Sequence, residues 1–107
     1  GHTPGLTAFS ALIHCHARRG DQREAIQWFG KMVTAGITPT LIVYTTVVDA
    51  CAKNGSVTHA AEWFNKIRAS GLKPDVIAYN TMIDAFARRG DADSALQFFR
   101  QLQLDGL

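Results

Sequence analysis

Apolar residues return along this chain at helical intervals. Between positions 44 and 52 they fall at Tyr44, Val47, Val48, Cys51 and Ala52, and between 79 and 87 at Tyr79, Met82, Ile83, Phe86 and Ala87. The spacing i, i+3, i+4, i+7, i+8 puts all five side chains on one side of a 3.6-residue helix, and a strand, whose side chains alternate, cannot produce it. The segment from Phe9 carries the same stripe, Phe9, Leu12, Ile13, His16 and Ala17, with His16 as its one polar interruption. A second set of stripes follows at Ala25, Ile26, Phe29 and Met32, at Ala60, Ala61, Phe64 and Ile67, and at Ala95, Leu96, Phe99 and Leu102. The small alanines there permit close helix approach. The pattern predicts six helices and an all-α fold.

The stripes share one period. Gly1, Gly36, Gly71 and Gly106 stand 35 residues apart, as do Gly20, Gly55 and Gly90, and the same offset aligns Pro4, Pro39 and Pro74 and the aromatics Phe9, Tyr44 and Tyr79. A period of this size marks a solenoid in which each unit is a helical pair that buries its stripe only by stacking on neighbours. The units run 6–40, 41–75 and 76–107, the last incomplete at its end, with 1–5 read as the tail of a preceding repeat. Gly20, Gly55 and Gly90 fall just past the first helices, where a left-handed residue is wanted, and Gly36, Gly71 and Gly106 end the second helices, the first two ahead of Pro39 and Pro74, which prevent continuation. Asp21 with Glu24 forms a capping box, and Ser56 and Asp91 occupy the matching N-cap position. We expect a fragment of a longer array with apolar faces open at both ends, which predicts marginal stability or end-to-end self-association.

Composition narrows the function classes. The chain is 47% hydrophobic and 19% charged, with 9 Gly and 3 Pro, the profile of an ordered domain. No apolar run approaches the roughly 18 to 20 residues a membrane span needs, and the start lacks a signal-peptide layout, so no membrane anchoring is expected. Cys15 and Cys51 each lie inside an apolar helical pattern and read as small buried hydrophobes rather than a disulfide. His14, Cys15 and His16 are adjacent, point in different directions on a helix and have no second ligand set, so no metal or other cofactor is expected. No phosphate loop, Ser-His-Asp set or isolated carboxylate pair is present, which argues against an enzyme.

A formal charge of +2 is too small to imply nucleic acid on its own. Distribution says more. Opposite the stripe, the first helices are polar at Ser10, His14 and Arg18, at Thr45, Thr46, Asp49 and Lys53, and at Asn80, Thr81, Asp84 and Arg88. These residues would line one groove. Arg18, Lys53 and Arg88 recur at one repeat position, as the phosphates of a polymer would require. A cation at a helix C-terminus also complements the dipole, and both effects can hold together. Asp49 and Asp84 weaken the local field. A groove that repeats its chemistry suits a periodic polymer, whereas a protein-binding scaffold, the rival reading, would carry variable residues shaped to one peptide.

The chain resembles the pentatricopeptide repeat proteins of the pure 35-residue class. The strongest segment is Val76-Ile-Ala-Tyr-Asn-Thr-Met-Ile-Asp-Ala-Phe-Ala-Arg-Arg-Gly90, with Gly71-Leu-Lys-Pro-Asp75 before it and Ala95-Leu-Gln-Phe-Phe99 after. Tetratricopeptide repeats run at 34 residues and want a Trp and a Gly-Tyr pattern missing here. The resemblance implies a right-handed superhelical α-solenoid that binds single-stranded RNA at about one nucleotide per repeat, in a chloroplast or mitochondrion, where such proteins serve RNA processing, stabilisation, splicing or translation. It implies that base reading falls to Ser10 with Thr40, to Thr45 with Asp75, and to Asn80 with a partner beyond residue 107. It also implies that Thr7, Ile42 and Ile77 pack on base faces, although the two isoleucines could equally be half-buried helix-start residues.

Chemistry constrains the middle pair. An ionised Asp75 only accepts hydrogen bonds, so it suits the ring N–H of guanine or uracil and leaves adenine N1 or cytosine N3 unpaired. The family pattern for Thr with Asp points to guanine, and Asn80 leans toward a pyrimidine. No base is assigned to Ser10 with Thr40. Asp75 could also serve as a helix N-cap without any RNA.

Overall fold

The computed structural model describes residues 5–107. Gly1 and Pro4 of the repeat alignment, and most of the tail 1–5, lie outside them. The chain forms α1 (Leu6–Arg18), α2 (Gln22–Thr34), α3 (Leu41–Lys53), α4 (Val57–Ala69), α5 (Val76–Arg88) and α6 (Ala92–Leu104), each of 13 residues.

Every helix stops the same way. Gly20, Gly36, Gly55, Gly71, Gly90 and Gly106 take φ between +72° and +89°, which only glycine adopts at little cost. After α1, the Gly20 amide donates to Ala17 O at 3.0 Å and the Asp21 amide to His16 O at 2.9 Å, a Schellman closure repeated at the other five ends. Starts differ more. Asp21, Thr40, Asp75 and Asp91 accept a backbone amide on their side chains, from Glu24, Val43, Ala78 and Ser94. Ser56 stands at the expected N-cap position but its hydroxyl makes no capping bond, so that expected cap is positional only.

The helices form two layers. The inner row is α1, α3 and α5, with α1 packed on α3 and α3 on α5. In the outer row each helix packs on its own first helix, and α2 and α4 also lean on the first helix of the next repeat. Among the described residues, α2 and α4 meet only through side chains, Phe29 standing edge-on to Trp63 at 4.7 Å between ring centroids. The result is an elongated solenoid of 51 × 27 × 16 Å.

Burial follows the stacking. Val43, Val47 and Ala50 of α3 and Ala78, Met82 and Ala85 of α5 are buried, whereas Ala8, Leu12 and Cys15, the same positions in α1, are exposed. The stripe read through Leu12 is therefore not all core, and Cys15 is not the buried hydrophobe expected. Both lie on the side where α3 and α5 meet a preceding first helix. Cys51 is fully buried, and burial together with the Glu62 charge pushes its thiol up to about 11. Both cysteines are free. At the other end α6 buries no residue completely, and Leu96 and Phe99 are each 46% exposed.

One polar cluster ties repeats 2 and 3. The buried Tyr79 hydroxyl lies between Arg68 at the end of α4 and Asp105 after α6, bonding to both, while Arg68 and Asp105 pair at 3.0 Å. Burial and the Asp105 bond push the Tyr79 hydroxyl up to about 12, and the Tyr79 bond holds the Asp105 carboxyl below its usual range. At the previous junction the corresponding residues are Val33, Tyr44 and Ser70, which cannot make this ion pair.

Candidate nucleic-acid interface

The inner row presents a groove across successive first helices. One recess of about 460 Å³ is lined by His14, Ala17 and Arg18 of α1, by Ile42, Thr45, Thr46, Asp49 and Lys53 of α3, and by Asp75, Ile77 and Thr81 at the start of α5. A second of about 340 Å³ continues between α3 and α5, sharing Asp49, Lys53, Ile77 and Thr81 and adding Asn80, Asp84 and Arg88. Most residues singled out from the sequence thus share one surface. Thr7, Ser10 and Thr40 line neither recess.

Ile42 and Ile77 project from the second position of their helices and are 76% and 66% exposed. They are not half-buried helix-start residues. Leaving a β-branched apolar side chain in water forgoes about 1.5 kcal/mol or more of burial energy, so each offers a flat ligand a surface to cover. Thr45 and Asp75 line the same recess. Thr45 is only 9% exposed, deeper than a purely polar face implies, because α3 is flanked by both α1 and α5. Its hydroxyl donates to Leu41 O at 2.8 Å, which leaves lone pairs as what it can offer. Asp75 gives Oδ1 to the Ala78 amide at 3.0 Å, so the capping role open to it from the sequence is filled. Among the described residues its Oδ2 has no hydrogen-bond partner. Thr40 caps α3 in the same way, through Val43 at 3.3 Å.

Arg18, Lys53 and Arg88 are the last residues of α1, α3 and α5, where their charge also suits the helix dipole. Two of them are held by a carboxylate one turn back. Lys53 Nζ lies 3.0 Å from Asp49 and the Arg88 guanidinium 2.9 Å from Asp84. At the corresponding position before Arg18 stands His14, and among the described residues Arg18 forms no ion pair. From the sequence Asp49 and Asp84 are expected only to weaken the local field, and the i, i+4 spacing is the signal that could have revealed the pairs. Thr46 and Thr81, also counted on the polar face, turn their hydroxyls onto Ile42 O and Ile77 O at 2.7 and 2.9 Å. Among the described residues no group of His, Cys, Asp and Glu is arranged to hold a metal ion, and no helix is long and apolar enough to cross a membrane.

Comparison with known proteins agrees with this architecture. The PPR repeat family model matches residues 4–53 and again 39–88, and the PPR repeat model matches 77–107. No curated protein matches the chain. Among solved structures, the pentatricopeptide repeat protein PPR10 in complex with an 18-nt psaJ RNA element is 30% identical, with a TM-score of 0.88 over 100% of this chain. PPR10 from maize is 26% identical, with a TM-score of 0.86 over 99% of this chain. The chain spans only 16% and 15% of the PPR10 chains in those two structures. The 35-residue period, the paired 13-residue helices and these matches along nearly its whole length place the chain in the pentatricopeptide repeat family.

Proposed function

We propose that this chain binds single-stranded RNA along the inner groove, one nucleotide to each repeat unit (6–40, 41–75, 76–107), and that it acts by binding rather than catalysis and without a cofactor. The observation that carries the reading is the recess that Thr45 and Asp75 line together with exposed Ile42 and Ile77. Two apolar side chains at adjacent repeats can sandwich a base, and two polar groups can meet its edge. Thr45 has committed its proton to Leu41 and Asp75 only accepts, so a fitting base supplies two adjacent donors. Guanine does so with its ring N–H and exocyclic amine, uracil offers one, and adenine and cytosine place a ring acceptor against the carboxylate. Asn80 reads the next base, toward a pyrimidine, and Ser10 with Thr40 the preceding one, beside the weaker clamp Thr7. Arg18, Lys53 and Arg88 face the phosphates.

That PPR10 is solved with an RNA element supports the same partner here. In this reading the parent protein works in a chloroplast or mitochondrion, in RNA processing, stabilisation, splicing or translation. The apolar side chains left open on α1 and α6 would let separate copies associate end to end.

The test is binding of a longer array, with several repeats added at each end, to RNAs that vary one base opposite Thr45 and Asp75. Guanine preference is expected, moving toward adenine in Asp75→Asn, because the amide can donate to adenine N1. Absence of RNA binding at low salt by a folded, monodisperse array would overturn the proposal and leave the groove as a protein-binding scaffold.

A further inference from the structure

The three groove cations share one repeat position but not one environment. Lys53 and Arg88 lie 3.0 and 2.9 Å from Asp49 and Asp84, so the last turns of α3 and α5 each present a cation and an anion together. The last turn of α1 presents His14 and Arg18, with no carboxylate at the matching position. The apolar clamps run the other way: Ile42 and Ile77 stand exposed at the starts of α3 and α5, and the α1 counterpart is Thr7.

We infer that the groove grades its phosphate contacts, Arg18 of repeat 1 holding the strand most strongly while Lys53 and Arg88 of repeats 2 and 3 face the phosphates with their capture weakened by Asp49 and Asp84. The inference rests on the RNA-binding reading above. Physically, a phosphate that approaches Lys53 or Arg88 must either displace a carboxylate already in place or bind with that carboxylate nearby, and two anions on one cation repel. A cation without an internal partner meets neither cost, and its neutralisation by phosphate releases counterions in full. The internal pairs are exposed and weak, so they attenuate phosphate capture rather than abolish it. Such a groove keeps non-specific affinity low where bases are read, and discrimination there is not swamped by charge.

The experiment is an NMR titration of the 107-residue protein with short single-stranded RNAs of mixed sequence at several salt concentrations. Arg18→Gln is expected to weaken binding equally for all sequences and to lower the slope of log affinity against log salt by about 0.7, the value for one phosphate contact on a single strand. Lys53→Gln and Arg88→Gln should each weaken binding and flatten the slope in the same sense but by less than Arg18→Gln, because the cation they remove is already partly neutralised. Asp49→Asn and Asp84→Asn should tighten binding by about two- to threefold each and steepen the slope. His14→Asp, which installs the missing carboxylate, should weaken binding by about two- to threefold, part of the way toward Arg18→Gln, and Arg18→Lys should keep the wild-type slope. If RNA binds but Lys53→Gln flattens the salt dependence as much as Arg18→Gln, the grading is wrong. If neither this protein nor the longer array binds RNA at low salt, the RNA-binding reading itself falls.

Discussion

Phe64 and Phe99 occupy one repeat position in α4 and α6, and their fates differ. Phe64 is 2% exposed, packed edge-on against Tyr79 and Phe98, while Phe99 is 46% exposed. Their helices have the same length and the same closing turn, and α6 is the better capped of the two, since Asp91 accepts the Ser94 amide while the Ser56 side chain caps nothing. The difference lies in the neighbour: α4 has α5 beside it, and among the described residues nothing stands beyond α6. Core membership in this fold is therefore conferred by the adjacent repeat, and a residue's own pattern only makes it eligible.

The largest test of that comparison is truncation at both positions. Phe64→Ala should destabilise by about 3 to 5 kcal/mol, as for a fully buried aromatic, and Phe99→Ala by about 1 kcal/mol. Denaturant midpoints would measure both. Adding a fourth repeat copied from residues 41–75 should raise the cost of Phe99→Ala toward that of Phe64→Ala. Equal costs without the added repeat would break the comparison.

Alkaline unfolding sharpens it at the level of single protons. Tyr79 and Cys51, both in the interior, have their folded pKa raised, to about 12 and about 11, chiefly by burial. The folded state holds those protons more tightly than the unfolded chain does, so their contribution is intact below the ordinary values of 10.0 and 9.0 and is lost as pH rises through the raised ones. Stability should fall between pH 9 and 12, and that loss should shrink in Cys51→Ala and again in Tyr79→Phe. A pH profile unchanged by both substitutions would contradict the burial of these groups.

Caps give the smallest contrast. Thr40→Ala and Asp75→Ala remove a bond to a backbone amide and should each cost about 1 kcal/mol, whereas Ser56→Ala should cost no more than a few tenths. Thermal melts of the three variants would rank them.

Local features of the fold were legible in the sequence because they are decided within a few residues. A glycine after each stripe sets its turn, and the 3.6-residue spacing sets its helix, so six helices followed. Features decided between distant residues were not. Leu12 and Val47 sit alike in their stripes, yet only Val47 meets a preceding helix. The Arg68–Tyr79–Asp105 cluster joins positions 11 and 37 residues apart from Arg68, and no periodicity announces it. In the groove, residue types and helix spacing placed most candidates on one face. What spacing could not convey was depth: Thr45 was read as part of a polar face and is nearly enclosed, because its helix is the middle one of three.

The uniform Schellman closures have an evolutionary consequence. Every unit begins and ends in the same backbone geometry, so a gene duplication that copies one whole repeat meets a compatible joint on either side and creates no new turn to be solved. Such a lineage can lengthen or shorten in whole units while each helix keeps its hydrogen bonds. Duplication is not neutral everywhere, however. A copy of 6–40, which has Val33 at the position of Arg68, inserted between Arg68 and Tyr79 would separate the two halves of the one ion-paired junction among the described residues, so that boundary is where this insertion should be tolerated least.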